Sequence, residues 1–447
     1  NYMKQQTLQY FLFLYLGFGS YITWFCLVAQ TNYWSFFYKG QVLTIIGAVY
    51  AVAELLGSFA VIPLEKRLSA RKFAIITTIV CSSALISLIP LSFIPDQTAK
   101  YVATMIPVAC CGFMTSMYYP VLIAMSSRLG SGLATALQIG NGICEIVFQL
   151  LEDVIYFFVP EVPDPVQYKR NLILNAALYY AIAVLVLVGC FVTFIITEKR
   201  FPQCKIERMR VAEVQIEMKT KLDVKMELQK EDLLQDEIDN QKPDPEQEVQ
   251  PKLEAEIKLP QNTPKKKSVL QRLWFFGLSL GISYAFATVL FPLFIINVPN
   301  WTLVAREQKR TNDLMNLVVL TVYAFCDFIG RVIAAIKVVK NMKRWVLIFL
   351  CYFRTVLALL LALMNFPQFD STLKVFPVIC SDTAFFATLI VFSTTTTIIS
   401  TAGYVKYQEF LDNDEERTKG SYVINVFMQG GLFAGSALSM GLIKLFK

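Results

Sequence analysis

The sequence predicts an all-α integral membrane protein of eleven transmembrane helices, six before and five after a long charged segment. Three observations predict it. Of 447 residues, 55% are hydrophobic and only 17% charged, where soluble domains average about a quarter charged. The apolar residues fall in runs long enough to cross a bilayer core, which takes about 20 residues of helix. The remaining charge gathers between residues 198 and 267 and in short joints between the runs.

In order along the chain, the first six runs lie near 8–29, 42–63, 73–94, 101–126, 132–159 and 171–197. The last five lie near 270–297, 312–336, 345–365, 376–403 and 420–445. The chain opens on Asn1 rather than Met, and its first run is long and lacks a small-residue cleavage site, so it is expected to be a retained helix. The joints "EKRLSARK" (65–72) and "KVVKNMKR" (337–344) are densely basic, and the long segment closes on "KKK". All three share one side if the amino terminus is cytosolic, which the positive-inside rule favours, and an odd number of spans then puts the carboxyl terminus outside. "NWT" at Asn300 is a glycosylation sequon on the expected outer side. The chain therefore divides into an N-terminal bundle (1–197), a cytosolic charged loop (198–269) and a C-terminal bundle (270–447). Within the loop, "VQIEMKTKLDVKMEL" (214–228) and "KLEAEIKL" (252–259) alternate at period two. Two readings stay open for it: a small β-hairpin or sheet, and a charged linker too polar to order itself.

Composition excludes several classes. The net charge of +7 comes from cations that mostly flank apolar runs, which marks loop anchors rather than a nucleic-acid surface. The ten cysteines show no metal spacing and are expected to pack rather than to form disulfides or bind zinc. There is no histidine, hence no imidazole proton relay or His-ligated metal. No phosphate-cradling glycine loop is present, which argues against an ATP-driven pump. No set of nucleophile, base and orienting group is present either, so neither an enzyme nor a cofactor is expected.

Function is read from polar groups where lipid should be. Asp327 and Arg331 lie in "AFCDFIGRVIAA", within the eighth span. Each costs about 2.5–3.5 kcal/mol at a helix centre on insertion scales, and their spacing of four lets them pair on one face. A buried ion pair seldom improves net stability over apolar packing. The pair is therefore expected to meet something polar, with a purely structural interlock as the competing reading. A guanidinium donates and a carboxylate accepts, which together suit a ligand rich in hydroxyls. Glu54 stands alone in the second span, and the fifth carries Gln138, Asn141, Glu145, Gln149 and Glu152 at steps of three and four, one helical stripe. Asp382 opens the tenth span ahead of "STTTTIIST", and Trp24 sits inside the first, either as core packing or as a flat platform for an aromatic ring. These groups describe a polar cavity at mid-membrane, lined by several helices and used for secondary transport.

The motifs carry a resemblance. "DFIGR" (327–331), "GFGSYITW" (17–24) and "LGSGLAT" (129–135) resemble, in that order, the signature, opening helix and fourth-to-fifth loop of the equilibrative nucleoside transporters. "FP" (291–292), "GY" (403–404) and "KGSYVINVFMQGGLFAGSALS" (419–439) fall where that family has similar features. The resemblance spans the chain and implies a major-facilitator-like fold of pseudo-symmetric six- and five-helix bundles. It implies passage of nucleosides, and of nucleobases, by alternating access through a monomer in the plasma membrane. It places Trp24 beside the base, and Asp327 and Arg331 at the ribose, either in direct contact or by holding the site's shape. Thr23 replaces the usual Pro, Ala324 replaces a frequent Asn, the fourth span has no Gln, and Glu54 falls near an apolar substrate contact. These departures mark a divergent, protist-like member. Glu54 is thus a candidate for substrate contact, and Glu54 and Glu145 for carrying a proton, since a carboxyl group withdrawn from water favours its neutral form. Transport is then either facilitative or proton-coupled. The alternatives are a transporter of another small polar solute and a receptor or scaffold acting through its cytosolic loop.

Overall fold

The computed structural model describes residues 2–38, 42–65, 67–158, 165–204, 268–290, 309–336, 339, 341–364 and 381–445. Among them all regular structure is helical. The first half comprises α1 (Tyr2–Ser20), α2 (Ile22–Ala29), α3 (Thr31–Phe37), α4 (Val42–Glu65), α5 (Ala70–Leu91), α6 (Gln97–Leu129), α7 (Ser131–Phe158) and α8 (Pro165–Arg200). The second comprises α9 (Val269–Leu290), α10 (Lys309–Ala335), α11 (Arg344–Met364), α12 (Asp382–Lys406) and α13 (Asp414–Leu445). Among the described residues ten helices are each long and apolar enough to cross a bilayer, and counting the pair α1–α2, bent by 45°, as one span gives eleven. The expected single helix over 8–29 is thus broken, at Tyr21, whose ψ of 14° leaves the helical region. Several helices also run past their apolar stretches, α8 reaching Arg200 and α13 starting at Asp414. Past the turn Pro202–Cys204, the period-two stretches of the charged loop lie outside the described residues.

Helix ends follow local chemistry. The Asp96 side chain accepts from Ala99 N at 2.6 Å and caps α6, and Ser381 does the same for α12. Asp414, Glu415 and Glu416 occupy the first turn of α13, where the helix dipole favours anions. Gly130 closes α6 with φ of 140°, a conformation that side chains rarely adopt, and so turns the chain directly into α7.

The halves repeat one packing scheme. The first helix of each packs on the fifth, α1 on α7 and α9 on α13, and the second on the fourth, α4 on α6 and α10 on α12. Small residues make the first-to-fifth contacts close. A Cβ at Gly140 would collide with the Leu14 carbonyl oxygen, and one at Gly431 with that of Gly281. Between halves, α4 and α6 meet α13, while α7 meets α10 and α12. Outward faces carry exposed apolar side chains, Leu56, Phe59 and Ile62 on α4 and Trp345, Phe349 and Val356 on α11, as lipid contact requires.

Gly140→Leu should force α1 off α7 at the backbone. Overpacking of this kind costs about 1–3 kcal/mol. The thermal midpoint of the detergent-purified protein should fall by several degrees, and an unchanged midpoint would show that this crossing is not rigid.

Candidate functional site

Both halves contribute to a central cavity of about 240 Å³, the volume of several waters at about 30 Å³ each and so the size of a small solute. Trp24, on the short helix after the Tyr21 break, forms part of its wall and lies against Tyr50 with ring centroids 4.9 Å apart. The break re-aims α2 so that the indole reaches this wall. Glu54, one turn beyond Tyr50 on the same face of α4, also lines the cavity and is 3% exposed.

The second half contributes the charged pair to the lining. Arg331 Nε donates to Asp327 Oδ2 at 2.7 Å, and its NH1 donates to the Gln138 side-chain and backbone oxygens at 2.9 and 3.2 Å. Glu145 Oε2 lies 3.9 Å from NH2. Gln138 in turn donates to the Tyr119 hydroxyl. Asp327 and Arg331 are 4% and 7% exposed, and both line the cavity. Room for the guanidinium comes from α7, since a Cβ at Gly142 would come within 2.7 Å of Arg331 Cδ. Nε and NH1 of Arg331 are thus engaged by protein oxygens, while NH2 faces Glu145 at the edge of ion-pair distance. The cavity presents Asp327 and Arg331 already locked together.

Four members of the α7 stripe, Gln138, Asn141, Glu145 and Gln149, line the cavity. Glu152 does not; it is buried toward Tyr179 on α8. Asp382 caps no cavity wall and sits in the first turn of α12. Asn300 lies outside the described residues.

Two features escaped the sequence reading. Arg354, on α11, is 0% exposed, with NH1 donating to Ser283 Oγ at 2.8 Å and its guanidinium 4.7 Å over the Phe392 ring. Its Nε and NH2 have no hydrogen-bond partner among the described residues. A lone Arg in the apolar ninth run was the available signal. The second feature is a polar stripe on α13. Thr418, Ser421, Asn425 and Gln429 bond, in order, to Arg128, to the Pro120 carbonyl, to Ser58 and to the Tyr21 hydroxyl. Every one of these bonds joins the two halves. Asn425 is the hub: its Nδ2 donates to Ser58 Oγ at 2.8 Å, and its Oδ1 accepts from the cavity residue Tyr404 at 3.3 Å. Their spacing of three and four was legible in "TKGSYVINVFMQG" (418–430).

A sequence profile of the family described as Nucleoside transporter matches residues 105–444. A search of curated proteins finds no match. Among solved structures, the chain is similar to the E. coli fucose:proton symporter FucP in its outward conformation, at 14% identity over 98% of this chain and 97% of that one, with a TM-score of 0.55. It is similar to the E. coli proton:xylose symporter XylE bound to 6-bromo-6-deoxy-D-glucose, at 11% identity over 98% and 87%, TM-score 0.56. A bacterial homologue of the iron transporter ferroportin in its outward-facing state matches at 10% identity over 98% and 94%, TM-score 0.55. At such identities the likeness establishes the fold, which is that of the major facilitators.

On the side where α13 begins, its stripe bonds the two halves together next to the cavity residue Gln429. Asn425→Leu removes the hub and takes the acceptor from the Tyr404 hydroxyl and a donor from the Ser116 carbonyl, a cost of about 1–3 kcal/mol to the joined arrangement. A cysteine introduced at the cavity residue outside the stripe, Ser400→Cys, should then react roughly tenfold faster with an impermeant maleimide added from that side. Equal rates with and without Asn425→Leu would show that the stripe does not hold the halves together.

Proposed function

The chain belongs to the nucleoside transporter family, and from that premise we propose that nucleosides cross the membrane through the central cavity by alternating access of the two halves. It is a multi-pass membrane transport protein. The observation that carries the proposal is the buried Asp327–Arg331 pair on the cavity wall, a costly arrangement that polar cargo explains. In this reading the base stacks on Trp24, and the sugar hydroxyls bond to the wall that Asp327 and Arg331 hold in shape. Nucleobases, which share the base contact, are cargo as well. The halves then rock about this point, as in transporters built from repeats around a midplane site.

The arrangement of basic joints supports a cytosolic amino terminus and an outer carboxyl terminus, and we assign the protein to the plasma membrane as a monomer. No chemical step is assigned to it; its work is transport rather than catalysis. Asp327→Asn and Arg331→Ala should each cut nucleoside uptake by about 100-fold or more, since either change leaves a buried charge or donor without its partner, at about 3–5 kcal/mol. Uptake of labelled adenosine, normalised to surface protein, is the measurement. Normal uptake in both variants would refute the assignment.

One observation favours proton coupling over simple facilitation. Glu145 interacts with the carboxyl of Asp327 as well as with Arg331, so two carboxyls face one guanidinium. A proton held between them balances the cluster, and Glu54 is a second carboxyl on the same cavity. Uptake into proteoliposomes should then accelerate several-fold under an inwardly directed proton gradient. Indifference to the gradient leaves facilitated diffusion.

A further inference from the structure

Three side-chain oxygens of the cavity lining, Glu54 Oε1, Asn141 Oδ1 and Gln429 Oε1, are buried without a hydrogen-bond donor among the described residues. All three are acceptors. The strongest internal donor set, that of Arg331, is committed to Asp327 and Gln138. These three oxygens are therefore open to a hydrogen-bond donor that a fitting cargo brings. The two amides can turn over and exchange oxygen for nitrogen. Glu54 has no such escape, because a carboxyl group keeps an acceptor oxygen whether ionised or neutral.

The position of Glu54 is well defined. Its own carbonyl oxygen accepts from Ser58 Oγ at 2.9 Å and from Ser116 Oγ at 2.5 Å, which braces this turn of α4 against α6. Tyr50, which packs on Trp24, lies one turn away on the same face. A ring stacked on the Trp24–Tyr50 wall thus turns an edge toward Glu54, while the brace of Asp327 and Arg331 stands on the other half.

We propose that Glu54 selects cargo by accepting a hydrogen bond from an amino group on the base edge, so that the preferred substrates are nucleosides with an exocyclic amine, of the adenosine and cytidine type. This rests on the nucleoside reading of the same cavity. A base without a donor at that edge leaves the Glu54 oxygen buried and unpaired, and sites built around a polar contact reject analogues that lack it strongly.

The test is a matched pair, adenosine and purine riboside, which differ only in the 6-amino group. Each is measured as a competitor of labelled adenosine uptake in proteoliposomes. Purine riboside should compete at least roughly tenfold more weakly against the wild-type protein. Glu54→Gln, which retains an acceptor oxygen, should keep most of that ratio. Glu54→Leu should bring it close to one, chiefly by weakening adenosine. Glu54→Met, of similar length, supplies the same readout if the leucine variant misfolds. Equal competition in the wild type, or a ratio that survives in both apolar variants, overturns the proposal while leaving nucleoside transport intact. A wild-type protein that moves no nucleoside overturns the transport reading itself, and this inference with it.

Discussion

The arrangement of this molecule turns on one charge pair kept out of water. Arg331 and Asp327 sit 2.7 Å apart in the membrane-spanning part of α10, and desolvating two ions costs more than their attraction returns unless further bonds complete the set. Those bonds come from the other half of the protein. Gln138 supplies two oxygens, Tyr119 steadies Gln138, and Gly142 withholds a side chain so that the guanidinium can lie against α7. The ion pair is therefore a joint between halves as much as a feature of one helix. Its stability depends on α7 and α10 staying together, so any motion that separates them must supply a replacement for the Gln138 oxygens.

Small residues make that geometry attainable. Gly17 and Gly140 bring α1 onto α7, and Gly281 and Gly431 bring α9 onto α13, each at backbone distance. Lipid offers no hydrophobic reason for helices to associate, so close packing and polar bonds have to hold the bundle. The fifth helix of each half uses both devices. On α7, Gly140 meets α1 while the stripe runs from Gln138 to Gln149; α13 carries Gly431 and the stripe from Thr418 to Gln429. The α7 stripe opens on the cavity, and the α13 stripe ties α4 and α6 to the second half below it.

Much of this was legible in the sequence because hydrocarbon imposes a simple rule: a span is about 20 apolar residues, and a charge inside one needs a reason. That rule located the spans, the charged pair, Glu54 and the α7 stripe. It could not locate partners, since what Arg331 touches lies 193 positions away, at Gln138, and spacing carries no information across that gap. For the same reason the bonds that Arg331 makes to the Gln138 oxygens could not be foreseen. The break at Tyr21 was passed over because 8–29 is apolar enough overall to span as one helix; Gly17, Gly19 and Ser20 just before it were the available signal. Arg354 was passed over as a single cation in a long apolar run. It stands on Ser283 and the Phe392 ring, a partial solvation that no periodicity foretells. The α13 stripe was visible at three-and-four spacing, but its residues are uncharged and read as small polar fillers.

The division of labour across the cavity bears on how cargo and motion are linked. The aromatic platform of Trp24 and Tyr50 and the unpartnered oxygen of Glu54 belong to the first half. Asp327, Arg331, Tyr404 and Gln429 belong to the second. A nucleoside is itself bipartite, with a flat ring at one end and a hydroxylated sugar at the other. Bound in the proposed manner it bridges the halves, and its contacts are complete only while both walls face it. A cargo that satisfies one wall alone gains nothing from bringing the other closer, and so biases no conformational equilibrium, because a ligand shifts an equilibrium only by its differential affinity for the two states. Tyr404 extends this link, since it lines the cavity and donates to Asn425, the hub of the bonds that join the halves beneath. Occupancy of the cavity and integrity of those bonds thus share one side chain, which gives the two events a physical path to each other without any separate signalling element.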